Sequence, residues 1–344
     1  MFTSRLRNLV LAAGLLVAAA VISAQADGQE QLTPTAALFP GDAEPNHREG
    51  AETHATKEEG HEHEAEHQAE EPADLFPCDF FRTGWDEPFE ARPHEGRAPR
   101  FNLFKSRQGF LERIALADYV YTNGLENRTL DDHLVIAGLE WAFNRRLEIE
   151  VGPFYEWRRP SSPDARRGDG LSGEYGALFQ LLDTADWAFN LQVHAVTPET
   201  HLDVHQTELA FPLAGFNDLT HTLGLRRVGL YYDAEYVALI GPRGAGDERR
   251  PANLMRYDVS VAKTLVEPTV PLVADFTVFV EAFGETELDG SNSGRTLVTF
   301  TPGIRFNPTG REEKAWWVQA GVEFPVTGPR PFNERVLLAV IHDF

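Results

Sequence analysis

The most constraining feature of this sequence is an alternation of apolar and polar residues that recurs in many short stretches over its C-terminal two-thirds. The clearest stretch is 147–157, where Ile149 and Val151 alternate with Glu148 and Glu150. Successive side chains of a β-strand point to opposite faces of the sheet. The alternation therefore predicts strands with one apolar face and one polar face.

Turn residues divide this part of the chain into twelve predicted strands. They cover about 110–121, 132–143, 147–157, 172–182, 187–197, 201–212, 221–240, 254–265, 272–285, 295–306, 315–324 and 334–344. Most are long enough to cross a bilayer at a tilt, for which roughly 9–11 residues suffice. One stretch, 221–240, is too long for a single plain strand.

The connections between these strands differ in length in the way that an outer-membrane barrel requires. An even number of strands leaves both chain ends at the same end of a barrel, together with the short turns 144–146 and 183–186. The longer connections 158–171, 241–253 and 287–294 then lie at the opposite end. Short periplasmic turns and longer external loops are typical of such barrels.

The final stretch has Val336, Leu338, Val340 and Phe344 on one face and ends on that phenylalanine. A chain end in a soluble protein is usually polar and frayed, so an apolar strand here needs a reason. The stretch is typical of the last strand of a bacterial outer-membrane barrel, which pairs with the first. The alternative is an edge strand of a soluble sandwich.

Aromatic residues near the predicted strand ends favour the barrel, because Trp and Tyr concentrate at membrane interfaces. These residues are Tyr121, Trp141, Trp157, Trp187 and Trp316. We therefore predict an all-β fold, a transmembrane antiparallel up-and-down β-barrel of about twelve strands over residues 110–344, preceded by a disordered N-terminal tract.

Residues 1–26 have the pattern of a secretory signal peptide, with a short apolar core between Arg7 and the small-residue sequence Ala24-Gln25-Ala26. An uncleaved anchor helix is the alternative. Residues 27–74 form an acidic, histidine-rich tract with few apolar residues, which predicts disorder. Residues 75–109 are rich in aromatics and proline, and this composition predicts a linker, a cap or a partial plug of the barrel.

Two groups of histidines are candidate metal ligands, because neutral imidazole suits transition metals. The first group lies in the acidic tract, where the alternative is a solvated charged linker. The second is on one predicted strand face, where a turn at 197–200 places His194 across from His205; the alternative is polar filling of the lumen. The candidates are His54, His61, His63, His67, His194, His201, Asp203 and His205. No cofactor is expected beyond a weakly bound divalent transition metal.

Polar residues of the alternating strands predict the lining of the lumen. They are Glu140, Glu148, Glu150, Glu156, Asp233, Glu235, Arg256, Asp275, Glu281, Arg305 and Glu323. Carboxylates exceed arginines in this set, and rings of carboxylates favour cations. An open lumen is therefore expected to prefer cations.

Composition and motifs exclude several classes of function. The chain has 53 acidic and 31 basic residues, a net charge of -22 that argues against nucleic acid as a partner. Its single cysteine excludes an internal disulfide framework. No Gly-x-Ser-x-Gly pattern occurs. The one His-Glu-x-x-His match, at 63–67, lies in the tract predicted to be disordered rather than on a helix, so we expect no enzyme. A barrel-embedded hydrolase built from distant Ser, His and acidic residues is the alternative.

Three short motifs resemble the outer-membrane barrels of the phenol-degradation MetA-pathway family. They are Thr301–Ile304, Gly321–Val326 and Ile341–Phe344, and the resemblance is confined to the predicted barrel. It implies a channel for small, often aromatic, molecules. The preceding histidine-rich and aromatic segments lie outside the family pattern.

The predicted function is a passive channel or uptake barrel for small aromatic or cationic molecules. The expected location is the outer membrane of a Gram-negative-type envelope, with the N-terminal tract in the periplasm. The expected partners are the lipid bilayer and the barrel-assembly machinery, which would engage the strand ending at Phe344. An envelope metal-binding protein that uses the His/Glu-rich tract is the main alternative.

Overall fold

The structure, a computed structural model, describes residues 72–92, 96–125, 130–160, 168–198, 206–241, 252–266, 270, 272–310, 315–327 and 330–344. The predicted signal peptide, most of the acidic tract and the candidate ligands His54, His61, His63, His67, His201, Asp203 and His205 lie outside these residues. Within the described ranges, no helix is both long and apolar enough to cross a membrane.

Twelve antiparallel strands form one closed barrel in which sequence neighbours pair and the first strand pairs with the last. The strands are β1 (Arg113–Gly124), β2 (Leu130–Ala142), β3 (Leu147–Pro160), β4 (Gly168–Asp183), β5 (Trp187–Val196), β6 (Thr207–Asp218), β7 (Val228–Ile240), β8 (Asn253–Thr264), β9 (Ala274–Glu287), β10 (Thr296–Asn307), β11 (Trp316–Pro325) and β12 (Glu334–Asp343). A short helix, α1 (Leu219–Leu223), follows β6, and a 3-10 turn (Pro77–Asp79) precedes the barrel. The predicted fold class is confirmed.

The prediction was wrong in the middle of the sheet, where β6 begins at Thr207 rather than at residue 201. β7 is also shorter than the predicted stretch 221–240. Residues 221–223 of the predicted stretch belong to α1, which Asp218 caps by accepting a hydrogen bond from the Thr220 backbone N–H at 2.8 Å. Gly224 ends the helix in the left-handed conformation at φ 70°. The twelve strands therefore follow one another around the barrel in a regular up-and-down order.

The corrected register also changes the neighbour of a predicted metal ligand. His194 on β5 lies opposite Ala210 on β6 rather than opposite His205. β5 ends at Val196 and β6 begins at Thr207, so the connection between them is longer than the predicted turn at 197–200.

The two ends of the barrel differ. The tight turns 143–146 and 184–186 lie at the same end as the start of β1 and the end of β12, which we call the turn end. Connections 161–167, 241–252 and 288–295 join strands at the opposite end, the loop end. Their placement agrees with the sequence prediction. The turn end also carries longer connections that the prediction did not anticipate, namely 219–227, 265–273 and 308–315.

The barrel wall is apolar outside and polar inside. Leu139, Leu213, Leu338 and Val340 are each more than one-third exposed on the outer surface. Buried side chains that point inward include amides, hydroxyls and carboxylates, namely Gln180, Asn190, Gln192, Thr299, Thr301, Glu148, Glu281 and Gln319. Soluble proteins bury apolar residues and expose polar ones, whereas membrane barrels show the reverse arrangement.

Aromatic clusters lie near both ends of the outer surface. At the turn end, the ring of His342 stacks on Trp316 with centroids 4.5 Å apart and contacts Phe344 edge-on at 5.1 Å. At the loop end, His133 stacks on Trp157 at 5.0 Å. Interfacial rings combine an apolar body with a polar tip. His342 therefore belongs to an aromatic cluster.

The outer face of β12 provides a test of lipid exposure. We expect Leu338→Arg, near the middle of the strand, to destabilise the barrel by about 2–4 kcal/mol, because a charge at the bilayer midplane is poorly solvated. Val336→Arg lies closer to the loop end on the same face and should cost only about 0–1 kcal/mol. Urea unfolding in lipid vesicles, followed by heat-modifiable gel mobility, measures both. Equal costs at the two positions would contradict a lipid-facing β12.

Candidate functional site: the lumen and its plug

An irregular segment, residues 96–112, lies inside the barrel, and we call it the plug. Near its start, the Ala98 backbone N–H donates to Asp218 Oδ2 at 3.0 Å, and the Tyr231 hydroxyl donates to Pro99 O at 2.8 Å. Phe101 then packs on Tyr231 with ring centroids 5.6 Å apart. These partners belong to the turn-end half of the barrel.

Residues 72–92 cover the turn end and form a cap. Arg92 donates to Asp183 Oδ1 at 3.0 Å, and Arg145 pairs with Glu87 at 2.6 Å. The guanidinium of Arg146 is fully buried and donates to the Thr83 carbonyl oxygen at 2.9 Å. The stretch predicted to be a linker, cap or partial plug thus contributes both a cap and most of a plug.

Wall carboxylates accept hydrogen bonds from the backbone of the plug. Glu281 Oε1 accepts from the N–H groups of Lys105 and Ser106 at 2.7 and 3.2 Å. Asp233 Oδ2 accepts from the N–H of Arg107 at 2.8 Å. A segment without strand or helix partners must satisfy its polar backbone groups in some other way. Here the lumen wall replaces the missing secondary structure.

Wall amides bind the backbone carbonyls of the plug. Asn190 and Gln192 donate to Gln108 O at 2.9 and 2.8 Å, and Gln180 donates to Gly109 O at 3.0 Å. A Cβ atom on Gly109 would lie 2.6 Å from the carbonyl carbon of Gly215 in β6. This close approach of the two backbones requires glycine at position 109.

Two cationic side chains of the plug bind wall carboxylates. Arg107 Nη1 lies 2.8 Å from Glu174 Oε1, and its Nε lies 3.3 Å from Glu235 Oε2. Lys105 Nζ lies 3.1 Å from Glu323 Oε2. An arginine side chain keeps its charge in proteins, and two carboxylates stabilise it here. Arg107 is therefore a permanent cation in the lumen.

Three neighbouring carboxylates, Glu140, Glu148 and Glu150, have oxygen atoms within 4.8 Å of one another beside the plug. The amide of Gln108 donates to Glu140 at 3.0 Å and to Glu148 at 2.7 Å. Carboxylate oxygens are the ligands that hard divalent cations prefer. The plug thus binds Glu140 and Glu148, and His194 of the wall lies 3.3 Å from Glu150. These contacts account for the positions of the three carboxylates, and we assign no ion to the cluster.

A cavity of about 620 Å³ lies between the plug and the loop end. Its lining includes eight carboxylates, from Asp118, Glu140, Glu150, Glu174, Asp233, Glu235, Glu285 and Glu323. Four cations, Lys105, Arg107, Arg256 and Arg335, also line it. Two of these four belong to the plug, so the wall itself has a larger excess of negative charge.

The predicted lumen residues divide into three groups. Glu140, Glu150, Asp233, Glu235, Arg256 and Glu323 line the cavity. Glu148, Glu281 and Arg305 are buried in the turn-end half, where the guanidinium of Arg305 lies 4.5 Å from the Phe101 ring centre. Glu156 pairs with Arg158 at 2.7 Å near the loop end, and Asp275 lies at the turn end in a strained backbone conformation with φ 49°.

His194 is buried at the wall of the lumen. Its Nδ1 lies 3.3 Å from both Glu150 Oε2 and Glu174 Oε1, and its Nε2 lies 2.9 Å from Gln192 Oε1. Because the other members of the predicted metal group lie outside the described residues, its role as a metal ligand stays a prediction.

Several lumen residues were missed by the sequence analysis. They include Asp118, Glu174, Glu208, Asp258 and Glu285. Asp258 alternates with Tyr257 and Val259 in the same manner as the predicted residues, so the alternation could have identified it as a lumen residue. Glu174 stands between Gly173 and Tyr175, where the contrast between the faces is weak.

A disulfide cross-link tests the position of the plug. The hydroxyl oxygens of Ser106 in the plug and Ser260 on β8 are 2.7 Å apart, close enough for cysteines to form a disulfide after substitution. We expect Ser106→Cys with Ser260→Cys, in a Cys78→Ser background, to give an oxidised species of altered gel mobility. Ser106→Cys with Ser172→Cys is the control, because Ser172 bonds to Thr197 at the loop end. Equal cross-linking of both pairs would contradict the placement.

Comparisons with known proteins address the fold. No protein-family model matches the chain, and no curated protein matches it. Among solved structures, an outer membrane channel from Pseudomonas putida F1 is 13% identical with a TM-score of 0.50, and the match covers 74% of this chain and all of that one. The NanC porin is 8% identical with a TM-score of 0.44, covering 67% of this chain and 98% of the porin. These comparisons do not confirm the phenol-degradation family. The chain is similar in fold to an outer-membrane channel.

Proposed function

We propose that this protein is an outer-membrane β-barrel through which small polar solutes, preferably cations, pass passively when the plug moves. The observation that supports this most directly is the carboxylate-rich cavity, which is bounded on one side by a segment whose backbone bonds mainly to wall side chains. The apolar outer face and the two aromatic clusters support residence in a bilayer. The turn end, with the cap, would face the periplasm.

The size of the barrel supports a closed state that can open. Barrels of about eight strands are filled by their own side chains, whereas those of 16–18 strands leave an aqueous channel. Twelve strands lie between these limits, so the lumen has room for one irregular polypeptide segment. When this segment moves aside, the same space becomes available to solutes.

The plug is held by contacts that can be exchanged for water. Its backbone and side chains bond to wall side chains rather than to a strand ladder, and each such hydrogen bond contributes about 0.5–1.5 kcal/mol net. Water or a polar solute can replace each of these partners. Displacement of the plug therefore does not require any strand of the barrel to separate.

Two expectations from the sequence stay predictions. The use of the His/Glu-rich tract in metal handling stays a prediction, because the tract lies largely outside the described residues. Recognition of the strand ending at Phe344 by the assembly machinery also stays a prediction.

The cavity lining favours cationic over aromatic solutes, since Phe104, Phe283 and Phe332 are its only aromatic lining residues within the described ranges.

Locking the plug tests the proposed gate. The double variant Ser106→Cys with Ser260→Cys, in the Cys78→Ser background, is expected to remain in a low-conductance state in planar bilayers when oxidised. A reductant should restore the openings of the Cys78→Ser parent, because it releases the plug without changing the barrel. Conductance of the oxidised form equal to that of its parent would contradict the proposal that the plug must move for solutes to pass.

Charge reversal in the cavity tests the preference for cations. Asp118 lies on β1 and lines the cavity. In a salt gradient, the reversal potential of the wild type should indicate cation preference. Asp118→Asn should reduce that preference, and Asp118→Lys should reduce it further, because each step removes negative potential from the path. Anion preference of the wild type would contradict the proposal.

A further inference from the structure

We propose that Glu174 and Glu235 form a binding site for the guanidinium group of a solute, and that Arg107 of the plug occupies this site in the closed barrel. The inference rests on the proposed channel function and names a class of solute for it. Glu174 lies on β4 and Glu235 on β7, two strands that are not neighbours in the sheet. A single guanidinium group thus bridges two separate parts of the wall.

One guanidinium group contacts both carboxylates at once. Arg107 Nη1 forms an ion pair with Glu174 Oε1 at 2.8 Å, and its Nε–H donates to Glu235 Oε2 at 3.3 Å. Guanidinium is planar and carries N–H donors on several edges, so one group can address two carboxylates in different directions. An ammonium group is a compact point charge that lacks this fixed fork.

The Lys105 contacts show how an ammonium group is held in the same lumen. Its Nζ lies 3.1 Å from the single carboxylate of Glu323 and 5.7 Å from the ring centre of Phe283. A carboxylate with an aromatic face is a different receptor from a pair of carboxylates. The two plug cations therefore mark two chemically distinct sites, of which the Arg107 site is the one suited to guanidinium.

The two acidic residues would remain in place after the plug leaves. Both line the cavity and belong to barrel strands, whereas Arg107 belongs to the plug. Its backbone N–H is bound separately by Asp233, so the side chain and the backbone of Arg107 use different partners. Withdrawal of the plug vacates the pair without dismantling it.

The vacated pair would still require a cation. Glu235 is only 3% exposed and retains Arg256 Nη1 at 3.3 Å, an arginine that is already shared with Glu208 and Glu285. Glu174 retains His194 Nδ1 at 3.3 Å. Without the charge of Arg107, the negative potential at these two carboxylates increases and attracts another cation. A guanidinium group supplied by a solute restores the contacts that Arg107 made.

Chemical rescue tests the site in the folded, full-length protein. Arg107→Ala empties the site, and isothermal titration calorimetry in detergent measures binding of methylguanidinium. We expect Arg107→Ala to bind methylguanidinium at least tenfold more tightly than the wild type, in which the site is occupied. Methylammonium, with the same charge, should bind the variant at least tenfold more weakly than methylguanidinium. Arg107→Ala with Glu174→Gln should lose the selective binding.

The inference is overturned if Arg107→Ala shows no preference for methylguanidinium, or if Glu174→Gln leaves that preference unchanged. If Arg107→Ala does not fold, as judged by heat-modifiable gel mobility, a measurement on the wild type tests the same site. In the wild type, methylguanidinium should compete with Arg107 for the two carboxylates. It should therefore raise the frequency of channel openings above that measured at the same concentration of methylammonium. Equal effects of the two ions would overturn the site.

The two measurements separate the site from the channel. Calorimetry in detergent needs no bilayer, so selective binding without conductance would contradict the proposed channel and leave the guanidinium site intact. Conductance without selective binding would contradict the site and leave the channel intact.

Discussion

Pairing between β1 and β12 is the constraint on which the rest of the structure depends. It runs without a break from Ile114 opposite Asp343 to Asn123 opposite Glu334. In hydrocarbon, each unpaired backbone N–H or C=O costs several kcal/mol, so a sheet in a membrane must have no free edge. Closure at twelve strands also sets the circumference, and hence the width of the space inside.

The contents of that space follow from its width. A lumen too wide to be filled by wall side chains and too narrow to be left as a large pore accommodates one irregular segment. The wall then has to be polar for two reasons: Glu281 and Gln192 serve the backbone of the plug, while Glu174 and Glu323 neutralise its cations. The same carboxylates that hold the plug create the potential that would attract a cationic solute.

Alternation of residue type was sufficient to predict the strands and their faces wherever the two faces differ. On β3 the contrast between Glu148 and Ile149 placed both residues on the correct sides. On β6 it failed, because the inward residues Ala210 and Phe216 are as apolar as the outward Phe211. Phe216 faces inward because it packs on Phe110 of the plug at 5.6 Å.

Where the wall packs against apolar side chains of the plug, as Phe216 does on Phe110, it lacks the polar character that marks a water-filled lumen. The plug itself has no period, since its backbone bonds to side chains distant in sequence, and no local pattern encodes such partners. The pairing of Arg107 with Glu174 and Glu235 was for this reason inaccessible to sequence analysis. The excess of carboxylates over cations on the wall, by contrast, could be read from the alternating strands.

The position of the plug immediately before β1 has a consequence for the route of folding. The plug and β1 are adjacent in the chain, whereas β12 follows more than two hundred residues later. A segment so placed need not be threaded into a finished cylinder, since the sheet can curl around it before the seam closes. Its contacts span long sequence separations, as between Ser106 and Ser260, and contacts of this kind form slowly. The sheet would then close around the plug, and the newly folded barrel would be in the plugged state before any solute passes.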